Sequence, residues 1–126
     1  MMQKNGEKIL VVDDDPDIGM MLKMMLEFKG HNAVVAESEE QANKLLHEND
    51  IHLIIMDMLL SGANGTDICM RLKKDPETNH IPILMISAHP NAKEICLAAG
   101  ATDFILKPFD MHVILSRVSA LLAEAN

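Results

Sequence analysis

Four short apolar runs in this chain each end on a side chain that carries a charge or a hydroxyl. The groups that follow the runs are, in chain order, Asp13, Asp14, Asp15, Asp57, Ser87 and Lys107. Runs of this length, rich in β-branched residues and set between helical stretches, predict buried parallel strands. Parallel strands place their carboxyl ends at one edge of the sheet, where open α/β sheets bind ligands. We therefore expect these groups to converge on one site.

Hydrophobic periodicity predicts five repeats of a strand followed by a helix. The predicted strands cover residues 8–12, 32–36, 51–56, 83–86 and 104–106, and the predicted helices cover 17–29, 38–48, 66–74, 92–99 and 111–124. Ser38 and Gln41 form a capping box at the second helix, and Asp110 is placed to cap the last one. Alternation of this kind indicates a doubly wound, three-layer α/β sandwich.

Length and charge limit the classes of protein to which the chain can belong. With 126 residues, 48% of them hydrophobic, residues 1–126 are predicted to form one domain, with residues 1–7 as a flexible lead-in. A net charge of -8 argues against direct binding to nucleic acid or to an anionic membrane. The sequence has no apolar segment of the roughly 20 residues that a membrane span requires, so we expect a soluble protein.

The cysteines and several methionines are predicted to be structural. Cys69 and Cys96 lie within helical patterns and lack paired spacing, which indicates small buried residues, reduced thiols and a cytoplasmic location. The first predicted helix carries four methionines at helical spacing, which are expected to fill the core. These are Met20, Met21, Met24 and Met25.

The clustered acids require a counter-charge, because carboxylates a few ångströms apart repel one another. Mg²⁺ is the natural ion, since it binds carboxylate oxygens, water and phosphate. Successive residues at a strand end point to opposite sides, so we expect Asp14 to bind the ion directly and Asp13 to act through water. Asp15 is expected to start the first helix instead.

Asp57 stands alone at the end of the central predicted strand, and Gly62 and Gly65 are expected to let the following loop turn. A carboxylate beside a metal can attack a phosphoryl group and form an acyl phosphate. Such a transfer depends mainly on charge neutralisation. Lys107 would supply a positive charge, and Ser87 a hydroxyl donor for a phosphoryl oxygen.

Together these motifs resemble the receiver domain of two-component response regulators. The resemblance covers nearly the whole chain and includes the acidic pair, Asp57 with Gly65 eight positions later, Ser87-Ala88 and Lys107-Pro108-Phe109. It implies a flavodoxin-like fold with strand order 2-1-3-4-5, which is the order found in a member of the same family. It also implies a signalling module that catalyses only its own phosphorylation and dephosphorylation.

The resemblance further implies roles for individual residues and partners. Asp57 would accept phosphate from a sensor histidine kinase or a histidine phosphotransfer protein, with Mg²⁺ bound by Asp13, Asp14, Asp57 and the backbone carbonyl of Leu59. Ser87 and Phe104 would switch the surface that binds a downstream target or a fused output domain. Phosphorylation-dependent homodimerisation is left open.

Some positions differ from the usual family pattern. Ser61 stands where proline is frequent, and Phe104 replaces a frequent tyrosine, keeping the ring without its hydroxyl. The stretch from Ser87 to Gly100 is about two residues short and contains Pro90, which affects the start of the fourth helix. The resemblance also implies that Leu59 and His89, two positions after Asp57 and Ser87, flank the route of hydrolytic water. Apolar Leu59 is expected to hinder that water, whereas His89 is expected to face solvent.

Two other functional classes are compatible with these acids. A metal-dependent phosphatase with Asp57 as nucleophile would need an Asp-x-Asp motif and a lid insertion, and neither is visible in the sequence. A phosphate-independent interaction module would keep the fold without needing the complete set of site residues.

Overall fold

A computed structural model describes residues 7–60 and 62–125 of the chain. Seven strands and five helices follow one another in these residues, numbered here in chain order. They are β1 (Lys8–Val12), α1 (Pro16–Phe28), β2 (Asn32–Ala36), α2 (Glu39–Glu48), β3 (Leu53–Asp57), β4 (Leu59–Leu60), β5 (Ala63–Asn64), α3 (Gly65–Lys74), β6 (Ile83–Ser87), α4 (Ala92–Ala98), β7 (Asp103–Leu106) and α5 (Met111–Ala125).

The main sheet has five parallel strands in the order β2-β1-β3-β6-β7. Because β4 and β5 lie outside this sheet, β6 and β7 are its fourth and fifth strands in chain order. The predicted strand order 2-1-3-4-5 is therefore confirmed. The added pair, β4 and β5, is antiparallel and joins Leu60 to Ala63. This segment was expected to be a loop, and two-residue strands are too short to show a period in the sequence. Gly62 next to β5 has a φ of 74°, which glycine adopts without strain.

The sheet separates two hydrophobic layers, which makes the three-layer sandwich. Alternate β1 residues point to opposite faces, so that Leu10 packs in the layer with α2, α3 and α4. Its neighbour Val11 packs in the layer with α1 and α5. Strands buried on both faces account for the nearly continuous apolar runs in the sequence.

Side-chain caps start the helices close to the predicted positions. Asp15 caps α1 by accepting a hydrogen bond from the Asp17 N–H at 2.9 Å, so its expected role at the helix start is confirmed. Ser38 caps α2 in the same way. Asn64 caps α3, which begins at Gly65, one residue before the predicted start. α4 is short, with seven residues and no side-chain cap.

The prediction that the α1 methionines fill the core is wrong for three of the four. Met20, Met21 and Met24 are exposed, Met24 at 63%. The buried face of α1 instead presents Leu22 and Leu26 to the sheet. By contrast, the two cysteines are confirmed as buried free thiols.

Within the described residues, the helices include none that combines the length and the apolar character needed to cross a bilayer. Residues 1–6 of the expected lead-in, and Ser61, lie outside the described residues. The backbone carbonyl of Glu7 accepts a hydrogen bond from the Asn32 N–H at 2.9 Å, which extends the contact between β1 and β2.

Candidate functional site

The predicted convergence at the carboxyl edge of the sheet is present in the structure. Strand register places Val12 beside Met56, so that Asp13 and Asp57 leave adjacent strands at the same level. At the other side of β3, Asp57 lies beside Ile86, next to Ser87. A backbone bond of 2.8 Å from the Lys107 N–H to the Ser87 carbonyl brings the end of β7 to the same edge.

Three carboxylates form the acidic part of this site. Asp13, Asp14 and Asp57 each offer an oxygen, and these oxygens lie within 4.8 Å of one another. Asp13 is buried, whereas Asp14 and Asp57 are half-buried. Of the described residues, these three form the one group of at least three metal-binding side chains that is this compact.

Burial and like charge act together on Asp13. The loss of water around its carboxyl raises the pKa above the ordinary value, and the nearby charges of Asp57 and Asp14 raise it further. A hydrogen bond from the Asp15 N–H, 2.9 Å from Oδ1, and the positive charge of Lys107 oppose this shift. The site therefore holds an ionised Asp13 at an energetic cost that a bound cation would reduce.

Both oxygens of Asp57 accept hydrogen bonds. The Lys107 ammonium lies 3.2 Å from Oδ2, and the Leu59 N–H donates to Oδ1 at 3.3 Å. The Asp57 side chain is 13% exposed and that of Lys107 is 23% exposed, so the pair is only partly screened by water. Asp57 is thus held in one orientation, with access to solvent.

Ser87 is buried at the end of β6, and its Oγ accepts a hydrogen bond of 3.0 Å from the His89 N–H. The imidazole Nδ1 of His89 accepts a bond of 3.1 Å from the Asn91 N–H, and this histidine is exposed, as expected. The loop after β6 is therefore tied to the serine hydroxyl through its own backbone.

Gly65 contributes to the site in a way that the sequence reasoning missed. Its N–H donates to the Met58 carbonyl at 2.6 Å. A Cβ at this position would lie 2.3 Å from the Asp57 carbonyl oxygen, which is closer than real contacts allow. Glycine is needed here for this close approach rather than for a positive φ. The sequence signal for it is the position of Gly65 at the start of α3, eight residues after Asp57.

The profile of the response regulator receiver domain matches residues 9–119, which contain every site residue described above. The chain belongs to this family. Its curated relatives include the phosphate regulon transcriptional regulatory protein PhoB of Pseudomonas aeruginosa, 36% identical over 96% of this chain and 54% of the relative. The DNA-binding response regulator MtrA of Mycolicibacterium smegmatis is 35% identical over 96% of this chain and 53% of the relative. The receiver domain thus spans about half the length of these proteins.

Solved structures of receiver domains have the same architecture. The receiver domain of Francisella response regulator 1452 superposes with a TM-score of 0.87 at 27% identity, covering 96% of this chain and all of that one (100%). The signal receiver domain of a histidine kinase from Syntrophus aciditrophicus gives a TM-score of 0.86 at 30% identity, covering 94% of this chain and 92% of that one. The flavodoxin-like fold of this receiver domain is therefore shown.

Proposed function

We propose that this receiver domain accepts a phosphoryl group on Asp57 in a Mg²⁺-dependent reaction, from a sensor histidine kinase or a histidine phosphotransfer protein. The observation that supports it most directly is the close packing of three carboxylates beside Lys107 at the carboxyl edge of the sheet. Residues 1–126 would act as one signalling module whose only catalysis is its own phosphorylation and dephosphorylation.

The donor set fits Mg²⁺. The cluster offers hard carboxylate oxygens and no sulfur or imidazole ligand, and Asp13 is buried beside two like charges that a cation would offset. Asp13, Asp14, Asp57 and the Leu59 carbonyl would hold the ion. When bound, Mg²⁺ would neutralise charge on the phosphoryl oxygens during transfer.

In the proposed transfer, a carboxylate oxygen of Asp57 attacks the phosphorus of a phosphohistidine. An O–P bond forms as the P–N bond breaks, and the imidazole leaves with the electron pair and takes a proton from solvent. Lys107, already 3.2 Å from Asp57, would keep its positive charge beside the incoming group. Ser87, whose Oγ accepts from the His89 N–H, would donate its O–H to a phosphoryl oxygen.

Phosphorylation would add about -1.5 to -2 charges and strong acceptor oxygens to the site. The proposed response is a shift in the positions of Ser87 and Phe104, which changes the surface offered to partners. The Phe104 ring is already buried, at 8% exposure, in the layer with α4. The phosphoryl group would favour this buried position of the ring over an exposed one.

The output is proposed to be a fused domain or a separate protein target, with phosphorylation-dependent homodimerisation as a further outcome. Curated relatives are named as a transcriptional regulatory protein and a DNA-binding regulator. For this acidic segment, with a net charge of -8, we propose contact with proteins rather than with nucleic acid or membrane, and a cytoplasmic location.

The decisive experiment is labelling with acetyl phosphate in the presence of Mg²⁺, followed by intact mass. The parent chain should gain one phosphoryl group and Asp57→Asn none, with unchanged circular dichroism. Asp17→Asn on the exposed start of α1 is the matched control and should label like the parent. Equal labelling of Asp57→Asn would disprove the acceptor assignment.

Two further measurements address the alternative functions. Steady turnover of a chromogenic phosphate ester would favour a phosphatase. Failure of the parent chain to bind beryllofluoride with Mg²⁺ would favour a phosphate-independent interaction module.

A further inference from the structure

We propose that Asp103 and Arg117 are positioning residues that set the location of Phe104 from the free edge of the sheet. This inference rests on the proposed function, because it assigns a consequence to Phe104 as a switch. It adds two residues outside the acidic site, and it links α5 to the residue on β7 that the switch uses.

Two hydrogen bonds connect these residues to the backbone of Phe104, and a third connects the two residues to each other. The Phe104 N–H donates to Asp103 Oδ1 at 2.8 Å. The Phe104 carbonyl accepts from Arg117 Nη1 at 3.3 Å, and the same nitrogen donates to Asp103 Oδ2 at 2.8 Å. The Asp103–Arg117 ion pair therefore closes a clasp around both polar backbone groups of one residue.

The position of β7 explains why side chains can form this clasp. β7 is the last strand of the five-stranded sheet and pairs only with β6 among the described strands. The outer backbone groups of an edge strand have no strand partner and must bond to side chains or water. At Phe104, α5 supplies the guanidinium, and Asp103 of β7 supplies the carboxylate.

The clasp acts on a residue whose ring is packed and whose backbone lies at a surface. Asp103 and Arg117 are half-exposed, at 31% and 43% for their side chains, whereas the Phe104 ring is buried. Moving the ring out of its layer would require the backbone or the side-chain torsions of Phe104 to change. Hydrogen bonds between the Phe104 backbone and the ion pair oppose a change in the backbone, so the clasp should favour the buried position of the ring.

A second arginine offers a matched control. Arg71 on α3 makes two hydrogen bonds of 2.7 Å to Glu39 on α2, at the opposite side of the sheet from α5. It is also an arginine–carboxylate pair, with side chains 58% and 29% exposed, but both of its bonds go to one carboxylate rather than to the backbone of a strand. Loss of this pair should affect stability slightly and leave Phe104 unchanged.

The test uses the full chain labelled with 4-fluorophenylalanine and ¹⁹F NMR. The chain has three phenylalanines, Phe28, Phe104 and Phe109, and the Phe104 signal is assigned by Phe104→Leu. Arg117→Gln and Asp103→Asn should shift or broaden the Phe104 signal, whereas Arg71→Gln should not. Asp103→Asn keeps an acceptor for the Phe104 N–H, so it removes the charge of the pair with little risk to folding.

The second readout is the affinity for beryllofluoride at saturating Mg²⁺. Because half-exposed ion pairs are worth about 0.2–1 kcal/mol, Arg117→Gln and Asp103→Asn should weaken binding by about 1.4- to fivefold. The double variant should be no weaker than the poorer single variant, since both changes open one clasp. Arg117→Lys retains a positive donor and should restore most of the affinity.

An unshifted Phe104 signal in both Arg117→Gln and Asp103→Asn would overturn the inference, as would parental affinity in both. An effect of equal size in Arg71→Gln would also overturn it, because the change would then be general. Failure of the parent chain itself to bind beryllofluoride would instead contradict the proposed function. The ¹⁹F comparison without ligand still tests the clasp in that case.

Discussion

The substitution Gly65→Ala tests whether the backbone behind Asp57 must pack as closely as the structure shows. The added Cβ would lie 2.3 Å from the Asp57 carbonyl oxygen and 2.9 Å from that of Met58. Ordinary contact begins near 3.4 Å, so the two backbones must separate by about 1 Å. All the close atoms belong to backbone, so rotation of a side chain cannot relieve the contact.

Two effects of this displacement can be measured. Overpacking of this kind costs about 1–3 kcal/mol, which corresponds to a fall of roughly 5–15 °C in Tm for a chain of this size. A displacement of about 1 Å at a reacting group can cost on the order of 100-fold in rate. We therefore expect Gly65→Ala to fold, to melt earlier and to label with acetyl phosphate much more slowly.

The control for lost stability alone is Gly30→Ala. Gly30 has a φ of 91°, and no atom lies within 4 Å of the place that a Cβ would occupy, so alanine there strains the backbone without a clash. It should lower Tm through a cost of about 1–2 kcal/mol and label at the parental rate. Parental Tm and labelling in Gly65→Ala would refute the reasoning, as would an equal loss of labelling in Gly30→Ala.

Two further predictions concern the charge and the lifetime of the site. Because the folded protein raises the pKa of Asp13, stability without metal should fall as pH rises from the ordinary value of 3.8 through the raised one. Asp13→Asn should therefore raise Tm at pH 7 without Mg²⁺, and the gain in Tm should disappear below about pH 4. The same variant should bind Mg²⁺ more weakly. A lower Tm than that of the parent at pH 7 would contradict the prediction. Leu59→Asn should shorten the phosphoryl lifetime, because an exposed amide beside Asp57 can orient water where the apolar side chain does not. Dephosphorylation is followed by intact mass. A slower loss of phosphate in the variant would contradict the idea that Leu59 hinders hydrolytic water.

The sheet and the site residues were the part most readily predicted from sequence. Asp13, Asp57 and Lys107 each follow an apolar run, and parallel pairing brings such positions to one edge whatever the details of the helices. Asp15 was likewise assigned correctly, because a side chain just before Pro16 is in the position of a helix cap. These inferences depend on local pattern and on one rule of topology.

Other features depend on tertiary contacts that local patterns do not contain. In α1, Met20 and Met24 share the four-residue spacing of Leu22 and Leu26, so the period alone does not say which pair faces the sheet. The close approach at Gly65 exists only once α3 packs behind β3. The same holds for the buried ring of Phe104, whose backbone is bonded by a residue 13 positions later.

In the proposed function, residues that end the strands carry out phosphoryl transfer, whereas residues just after the strands affect how long the phosphoryl group persists. Asp57 and Ser87 end strands whose other residues are buried, so the sheet holds the carboxylate and the hydroxyl at fixed positions. Leu59 and His89 follow these strands and are themselves exposed, so substitution of their side chains alters little of the core. Because Leu59 also donates its N–H to Asp57, a change in its side chain can act on the lifetime while its backbone bond is preserved. Rate of acceptance and duration of the signal should therefore vary independently in this fold.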